Sequence, residues 1–178
     1  MAIINNLWGQ PSAGKSSGAA YIFSKLKMAG INAELVTEFA KDKVWENNEE
    51  ALNNQAYMFG NQYFRISRCA DKVDVIVTDS PLPLSIIYNK DRYLGESFHK
   101  VVMNVFNSFE NKNYYVLKNK PYNPIGRTQT EEEAGKLSGT IMNFLLSNLI
   151  HFKQVNGDLE GYDFIVNDIL ATLEDTKK

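Results

Sequence analysis

The chain has 178 residues, 44% of them apolar and 22% charged, with 19 Lys plus Arg against 21 Asp plus Glu for a formal net charge of −2. This is the profile of one globular domain, and it excludes a disordered chain and a generally basic protein that coats nucleic acid. Cys69 is the only cysteine, so no intramolecular disulfide forms, and no Cys/His cluster has metal-ligand spacing. His99 and His151 stand alone. The apolar stretch Ala2–Trp8 is too short to span a bilayer and lacks the basic start and cleavage site of a signal peptide. A cytoplasmic protein with no membrane association is the expectation.

Taken in chain order, Ala2–Trp8 reads as a first strand. Gly14–Ala29 reads as a helix with Ala19, Ile22, Phe23 and Leu26 on one face and Gly30 just beyond its end. Asn32–Thr37 is a second strand, followed by largely helical Phe39–Glu46 and Asn48–Asp71. In the longer helix Ala51, Tyr57, Met58, Phe64 and Ile66 form the expected buried side. Val73–Thr78 is nearly continuous in aliphatic residues, as a strand covered on both faces should be. Glu96–Phe109 reads as a helix with Val101, Val102, Val105 and Phe106 inward, and Tyr114–Leu117 as a fourth strand. Lys118–Thr130 carries Lys, Pro, Asn and Gly and reads as a loop. Thr130 then starts a long helix, Glu131–Gln154, whose first-turn acids Glu131, Glu132 and Glu133 suit the helix dipole. Tyr162–Val166 is the expected fifth strand and Ile169–Glu174 a closing helix. The alternation predicts a single α/β domain over 1–178, with a five-stranded, parallel, doubly wound sheet.

The strongest chemical signal is Gly9-Gln10-Pro11-Ser12-Ala13-Gly14-Lys15-Ser16, which matches G-x-x-x-x-G-K-[ST] at every fixed position. It follows a predicted strand and opens a predicted helix, the context that motif needs. The glycines let consecutive N–H groups, reaching on to Ser17, face phosphate oxygens at a helix N-terminus. Lys15 would neutralise the β- and γ-phosphates, and the Ser16 hydroxyl would join a Mg²⁺ shell. The motif implies a nucleoside triphosphate. The Asn-Lys-x-Asp sequence of guanine-specific GTPases is missing, Asn167-Asp168 being the nearest approach, so ATP is the expected donor. The small size leans toward a kinase.

In a doubly wound sheet ligands sit beyond the carboxyl ends of the strands, and two acids fall there. Asp79, after a hydrophobic run, suits the orientation of Mg²⁺ or its waters. Glu38, after the second strand, suits proton acceptance from an attacking hydroxyl. Spacing alone leaves the two roles exchangeable. Arg127 is one of four arginines and lies in the Lys118–Thr130 segment with Lys118 and Lys120. A lid there would bring its guanidinium to the transferring phosphoryl group. Trp45, Asn54, Gln55, Tyr57, Gln62, Tyr63 and Arg65 mix flat rings with amide and guanidinium groups, which suits stacking on a nucleobase and bonding to its edge. From these, Trp45, Gln55, Gln62 and Arg65 are the candidate acceptor contacts. Arg65 and Arg68 would equally suit an acceptor phosphate.

Together, Gly9–Ser16, Glu38, Asp79-Ser80 and Gly126-Arg127 resemble the small P-loop kinases of nucleosides, nucleotides and nucleic-acid ends. Deoxynucleoside and polynucleotide kinases resemble this layout in placing an acidic general base after the second strand, which points to Glu38. Nicotinamide riboside kinases look similar around Thr37-Glu38-Phe39-Ala40. Val36-Thr37-Glu38-Phe39-Ala40-Lys41-Asp42 and Gly126-Arg127-Thr128-Gln129-Thr130-Glu131-Glu132-Glu133-Ala134 resemble segments of phage-encoded P-loop kinases. Some of that group have a thymidylate-kinase-like fold and phosphorylate 5-hydroxymethyluracil within DNA. The resemblance implies an ATP- and Mg²⁺-dependent kinase acting on a nucleoside-type hydroxyl, with that modified DNA base as the most specific acceptor. The chain departs from thymidylate kinase at Asp79-Ser80-Pro81, where that family has an Asp-Arg pair. It also lacks the clustered lid arginines of adenylate kinases, which favours a hydroxyl over a monophosphate acceptor. The readings from other classes are a partner-regulated P-loop ATPase and a relic that binds no nucleotide.

Overall fold

The computed structural model describes residues 1–119, 121 and 130–175. Its elements run β1 (Ile3–Trp8), α1 (Lys15–Met28), β2 (Ala33–Val36), α2 (Phe39–Trp45), α3 (Glu49–Asn53), α4 (Gln55–Ala70) and β3 (Val75–Thr78). They continue with α5 (Leu84–Ile87), α6 (Gly95–Asn107), β4 (Glu110–Leu117), α7 (Glu131–Ser147), β5 (Lys153–Asn156) and α8 (Leu159–Asp175). The strands form one parallel sheet in the order β2-β3-β1-β4-β5.

Side chains alternate across the strands and so feed two apolar layers. Ile4, Trp8, Ile76 and Tyr115 meet Ile66 of α4, Val102 and Phe106 of α6, and Ile141 and Leu145 of α7 on one face. Leu7, Val75, Val77, Tyr114 and Val116 meet Ile22 and Leu26 of α1 and Ile165 and Ile169 of α8 on the other. Asn5 and Asn6 lie buried in the central strand. The Asn6 amide donates to Asn111 Oδ1 at 2.9 Å, and the Trp8 indole to Asn113 Oδ1 at 3.0 Å. Buried polar groups are tolerated in a strand when they are hydrogen-bonded in this way.

The doubly wound parallel sheet is as predicted, and several elements differ in detail. The fifth strand is Lys153–Asn156, not Tyr162–Val166. As an edge strand it buries only Val155, so it carries almost no hydrophobic pattern. Tyr162, Ile165, Val166 and Ile169 are instead the buried stripe of α8, at helical spacing. The long helix accordingly ends at Ser147 rather than Gln154, with Leu149 at φ 53° in the turn that follows. Its start is as expected, a capping box in which Thr130 accepts from Glu133 N and Glu133 accepts from Thr130 N. Asn54 breaks the predicted Asn48–Asp71 helix: its side chain accepts from Tyr57 N and caps α4. Tyr57 and Phe64 are consequently exposed, while Met58 and Ile66 are buried. Val101 likewise faces outward beside buried Val102. The short α5 was not anticipated.

Candidate active site

The parallel register brings three strand ends together. Val36 pairs with Thr78, and Asn6 pairs with the same Thr78 from the other side. The segments after β1, β2 and β3 therefore emerge side by side, carrying the Gly9–Ser16 loop, Glu38 and Asp79.

The loop after β1 is shaped by backbone. Ser12 has φ 65° and Gly14 φ 98°, conformations that curl consecutive peptide units around a concavity. A Cβ on Gly14 would lie 2.4 Å from the Tyr162 hydroxyl, so glycine is required there twice over, by φ and by space. The Lys15 ammonium donates to Gly9 O at 2.8 Å and Gln10 O at 3.0 Å, so it lies folded against the loop. The first turn of α1 contains no acid, which leaves the positive end of its dipole available to an anion. Ser16 and Ser17 are exposed on that turn.

The loop is backed by residues the sequence analysis did not single out. The Tyr162 hydroxyl donates to Gly14 O at 2.9 Å. Burial pushes that phenol above its ordinary pKa, with Asp158 adding to the shift, so it stays a donor. Gly157 sits so close that a Cβ on it would lie 2.1 Å from Ala13 O, and its N–H donates to Leu117 O at 3.0 Å. Asp158 holds the turn by accepting from Gly161 N and from the Asn119 amide. The Asn156-Gly157-Asp158 turn signal before a helical stripe is the mark that identifies this support.

A cavity of about 420 Å³ extends from the loop toward α4, a size ordinary for a small-molecule site. Gly9, Pro11 and Lys15 line it from the loop, and half-buried Glu38 lines it from the segment after β2. Phe39, Leu52, Met58, Phe59 and Leu84 make an apolar wall, with Gln55, Gln62, Ser80 and Ser85 as polar points on it. Glu133 is also on the lining. The Thr130 backbone N–H, and then the Thr130 hydroxyl, hold its carboxyl below the usual range.

The predicted site residues distribute unequally. Lys15 and Glu38 line the same cavity. Asp79 is buried, lies outside the lining, and accepts the Glu38 N–H on Oδ1 at 3.0 Å. Gln55 is buried on the lining, with one amide hydrogen donated to Leu52 O at 2.8 Å. Gln62 is on the lining too, but its carboxamide is turned to the backbone of the Glu38 segment. Arg65 is not on the lining. It pairs with Asp42, donates to Thr37 O at 3.3 Å, and stacks on Phe39 with 5.0 Å to the ring centre. Trp45 is 61% exposed and not on the cavity lining. Arg127 and most of the expected 118–130 lid lie outside the described residues. Lys118, the first residue of that segment, and Glu131, just past its end, form an ion pair at 2.5 Å.

No protein-family model matches the chain, and no curated protein matches it in sequence. Among solved structures the chain is similar to a deoxyadenosine kinase from M. mycoides with bound dATP, at a TM-score of 0.61 and 18% identity. The match covers 95% of this chain and 99% of that one. The fold is that of the P-loop kinases. No helix among the described residues is long and apolar enough to cross a membrane.

Proposed function

We propose that the chain is a kinase that transfers the γ-phosphoryl group of ATP to a hydroxyl of a nucleoside-type acceptor. The observation that carries this reading is one continuous cavity lined by a phosphate loop and its lysine, by a carboxylate, and by an apolar wall with amide groups on it. The fold shared with a deoxyadenosine kinase supports it.

In this reading the amides of residues 9–16 and the start of α1 hold the phosphates, and Lys15 leaves the loop carbonyls to neutralise the β- and γ-phosphates. Between the two exchangeable acids, the geometry favours Glu38 as the base. Glu38 lines the cavity, while Asp79 lies behind it with one oxygen committed to the Glu38 N–H. The Glu38 carboxylate accepts the proton of the acceptor hydroxyl as its oxygen bonds to the γ-phosphorus, and the bond to the ADP oxygen breaks. Gln55 keeps its Oε1 and one amide hydrogen unengaged among the described residues, a donor–acceptor pair suited to a nucleobase edge. Phe39 and Phe59 supply flat surfaces for the ring. A Ser16 hydroxyl and an Asp79 carboxylate are hard oxygen donors of the kind Mg²⁺ takes alongside phosphate oxygens and water, so they are the residues to hold it. When bound, Mg²⁺ would offset charge on the phosphates. Arg127 is the candidate for further positive charge at the transferring group.

A free nucleoside is the acceptor that the neighbour favours. The resemblance of residues 36–42 and 126–134 adds 5-hydroxymethyluracil in DNA as the finer alternative. The test is transfer from γ-labelled ATP with Mg²⁺ to a panel of nucleosides, nucleoside monophosphates, nicotinamide riboside, plain DNA and DNA containing 5-hydroxymethyluracil. Label on a nucleoside is the expected result. Label confined to the modified DNA would select the base-modification alternative. Label released solely as inorganic phosphate would overturn the kinase reading in favour of a partner-regulated ATPase.

A further inference from the structure

We infer that Gln62 is a positioning residue of the transfer site, whose buried carboxamide, acting with Asp79, clamps the backbone of residues 37–39 and so aims Glu38 into the cavity. The inference rests on Glu38 being the base in the reading above.

The sheet ladder of β2 ends at Val36, and α2 begins at Phe39 with no side-chain cap supplied by Glu38. The N–H groups of Glu38 and Phe39 therefore lie beyond one element and at the uncapped start of the next, where helix donors lack intrahelical partners. Side chains from two other elements take them. Gln62 Oε1 accepts from Phe39 N at 2.9 Å, and Asp79 Oδ1 accepts from Glu38 N at 3.0 Å. Gln62 Nε2 lies 3.4 Å from both Thr37 O and Thr78 Oγ1. The Thr78 hydroxyl is itself fixed at the end of β3, accepting from Ser80 N at 3.2 Å. Gln62 is 5% exposed and Asp79 4%.

A carboxamide suits this place because it must accept from one peptide and donate to the next. A methionine or leucine of similar bulk would leave the Phe39 N–H and Thr37 carbonyl without these partners. A glutamate would keep the acceptor but lose the donors. With Oε1 and Nε2 both directed at protein atoms, Gln62 has no edge left for a nucleobase, although it lines the cavity. Of the two glutamines seven residues apart on α4, Gln55 thus faces the ligand and Gln62 holds the catalytic segment. A carboxylate tethered by two consecutive clamped peptides stays within the narrow geometry that proton transfer from a bound hydroxyl requires.

The test compares Gln62→Met, Gln62→Glu, Glu38→Gln and the Gln62→Met/Glu38→Gln double variant of the full chain. The expected result for Gln62→Met is a fall in kcat of about 10- to 100-fold that is the same for every acceptor, with KM for acceptor and ATP within about threefold. Gln62→Glu should recover part of that loss through the restored acceptor. The double variant should be no slower than Glu38→Gln alone, since the clamp acts only through that carboxylate. Amide hydrogen exchange should show Phe39 losing protection in Gln62→Met while β1 and β3 keep theirs, a readout that needs no activity. A changed acceptor preference, or losses that multiply in the double variant, would overturn the inference and make Gln62 a substrate contact or an independent contributor. Unchanged protection at Phe39 would also overturn it. An inactive Glu38→Gln beside an unaffected Gln62→Met sinks this inference alone, whereas a fully active Glu38→Gln sinks the assignment of the base as well.

Discussion

The two ends of the cavity are made of different material. The phosphate end is built of backbone: a loop at positive φ, packed against another backbone turn at Gly157 and held by one phenol. The acceptor end is built of side chains: the amides of Gln55 and Gln62 and an apolar wall, with the Asp79 carboxylate behind them. Backbone that must approach other backbone forces glycine at fixed positions, so the phosphate end leaves a motif. Side chains that reach across the fold leave no spacing to find. The phosphate end should therefore respond to added atoms, and the acceptor end to altered functional groups.

The largest effect should come from Glu38, the carboxylate on the cavity lining. Glu38→Gln removes the proton acceptor and should lower transfer by about 10²- to 10⁴-fold, while ATP still raises the melting temperature as in the wild type. Equal loss of both would mean that the ends are not separable. Lys15→Ala should lower transfer by about 10²- to 10³-fold and, unlike Glu38→Gln, also weaken the ATP-dependent thermal shift.

Gly157→Ala sharpens the comparison because it touches neither ligand. Its methyl group would meet the Ala13 carbonyl, and overpacking of this kind costs about 1–3 kcal/mol. Denaturant unfolding should register that cost, and calorimetric titration should show weakened ATP binding with the acceptor preference unchanged. Tyr162→Phe removes only the hydroxyl that Gly14 O accepts, a loss of about 1 kcal/mol by the same unfolding measurement.

The smallest effect concerns α8, which supplies the backing. Asp168 on that helix accepts from Lys153 at 2.7 Å, the Tyr114 hydroxyl at 2.8 Å and Lys112 at 3.1 Å. Burial pushes its carboxyl up, but these three donors outweigh burial and leave it below the usual carboxylate range. A depressed folded-state pKa stabilises the fold above the unfolded value of about 3.9 and loses that contribution as pH falls through the folded value. Wild type should therefore melt above Asp168→Asn at neutral pH, with the gap closing below about pH 4. A constant gap would mean that the carboxylate contributes by shape and not by charge. For Tyr114 burial, together with Asp168, pushes the phenol well above its ordinary range. That contribution is present below about pH 10 and is lost only as pH rises past the unfolded value.

How much of this was legible in the sequence follows the same division. The parallel sheet could be anticipated because short apolar stretches, β3 a nearly continuous aliphatic run among them, alternate with helical stripes, and the phosphate loop because its residues are consecutive. β5 was missed because an edge strand needs only one buried residue, Val155. The stripe of α8 reads as a strand because Tyr162–Val166 is apolar enough for either period. Gln62 read as a base contact, since nothing local says that its partner is a peptide 23 residues earlier. Nothing local marks Tyr162 as part of the site, its partner lying 148 residues away.

That last distance bears on synthesis. The chain leaves the ribosome N-terminus first, so the Gly9–Ser16 loop is made early, yet the turn and phenol that support it arrive some 140 residues later. Until α8 docks, Gly14 O has only the Gly18 N–H as donor and the Ala13 peptide lacks its neighbour at Gly157. Nucleotide recognition thus matures only when α8 is in place, and ATP should protect chains carrying that helix better than chains that lack it.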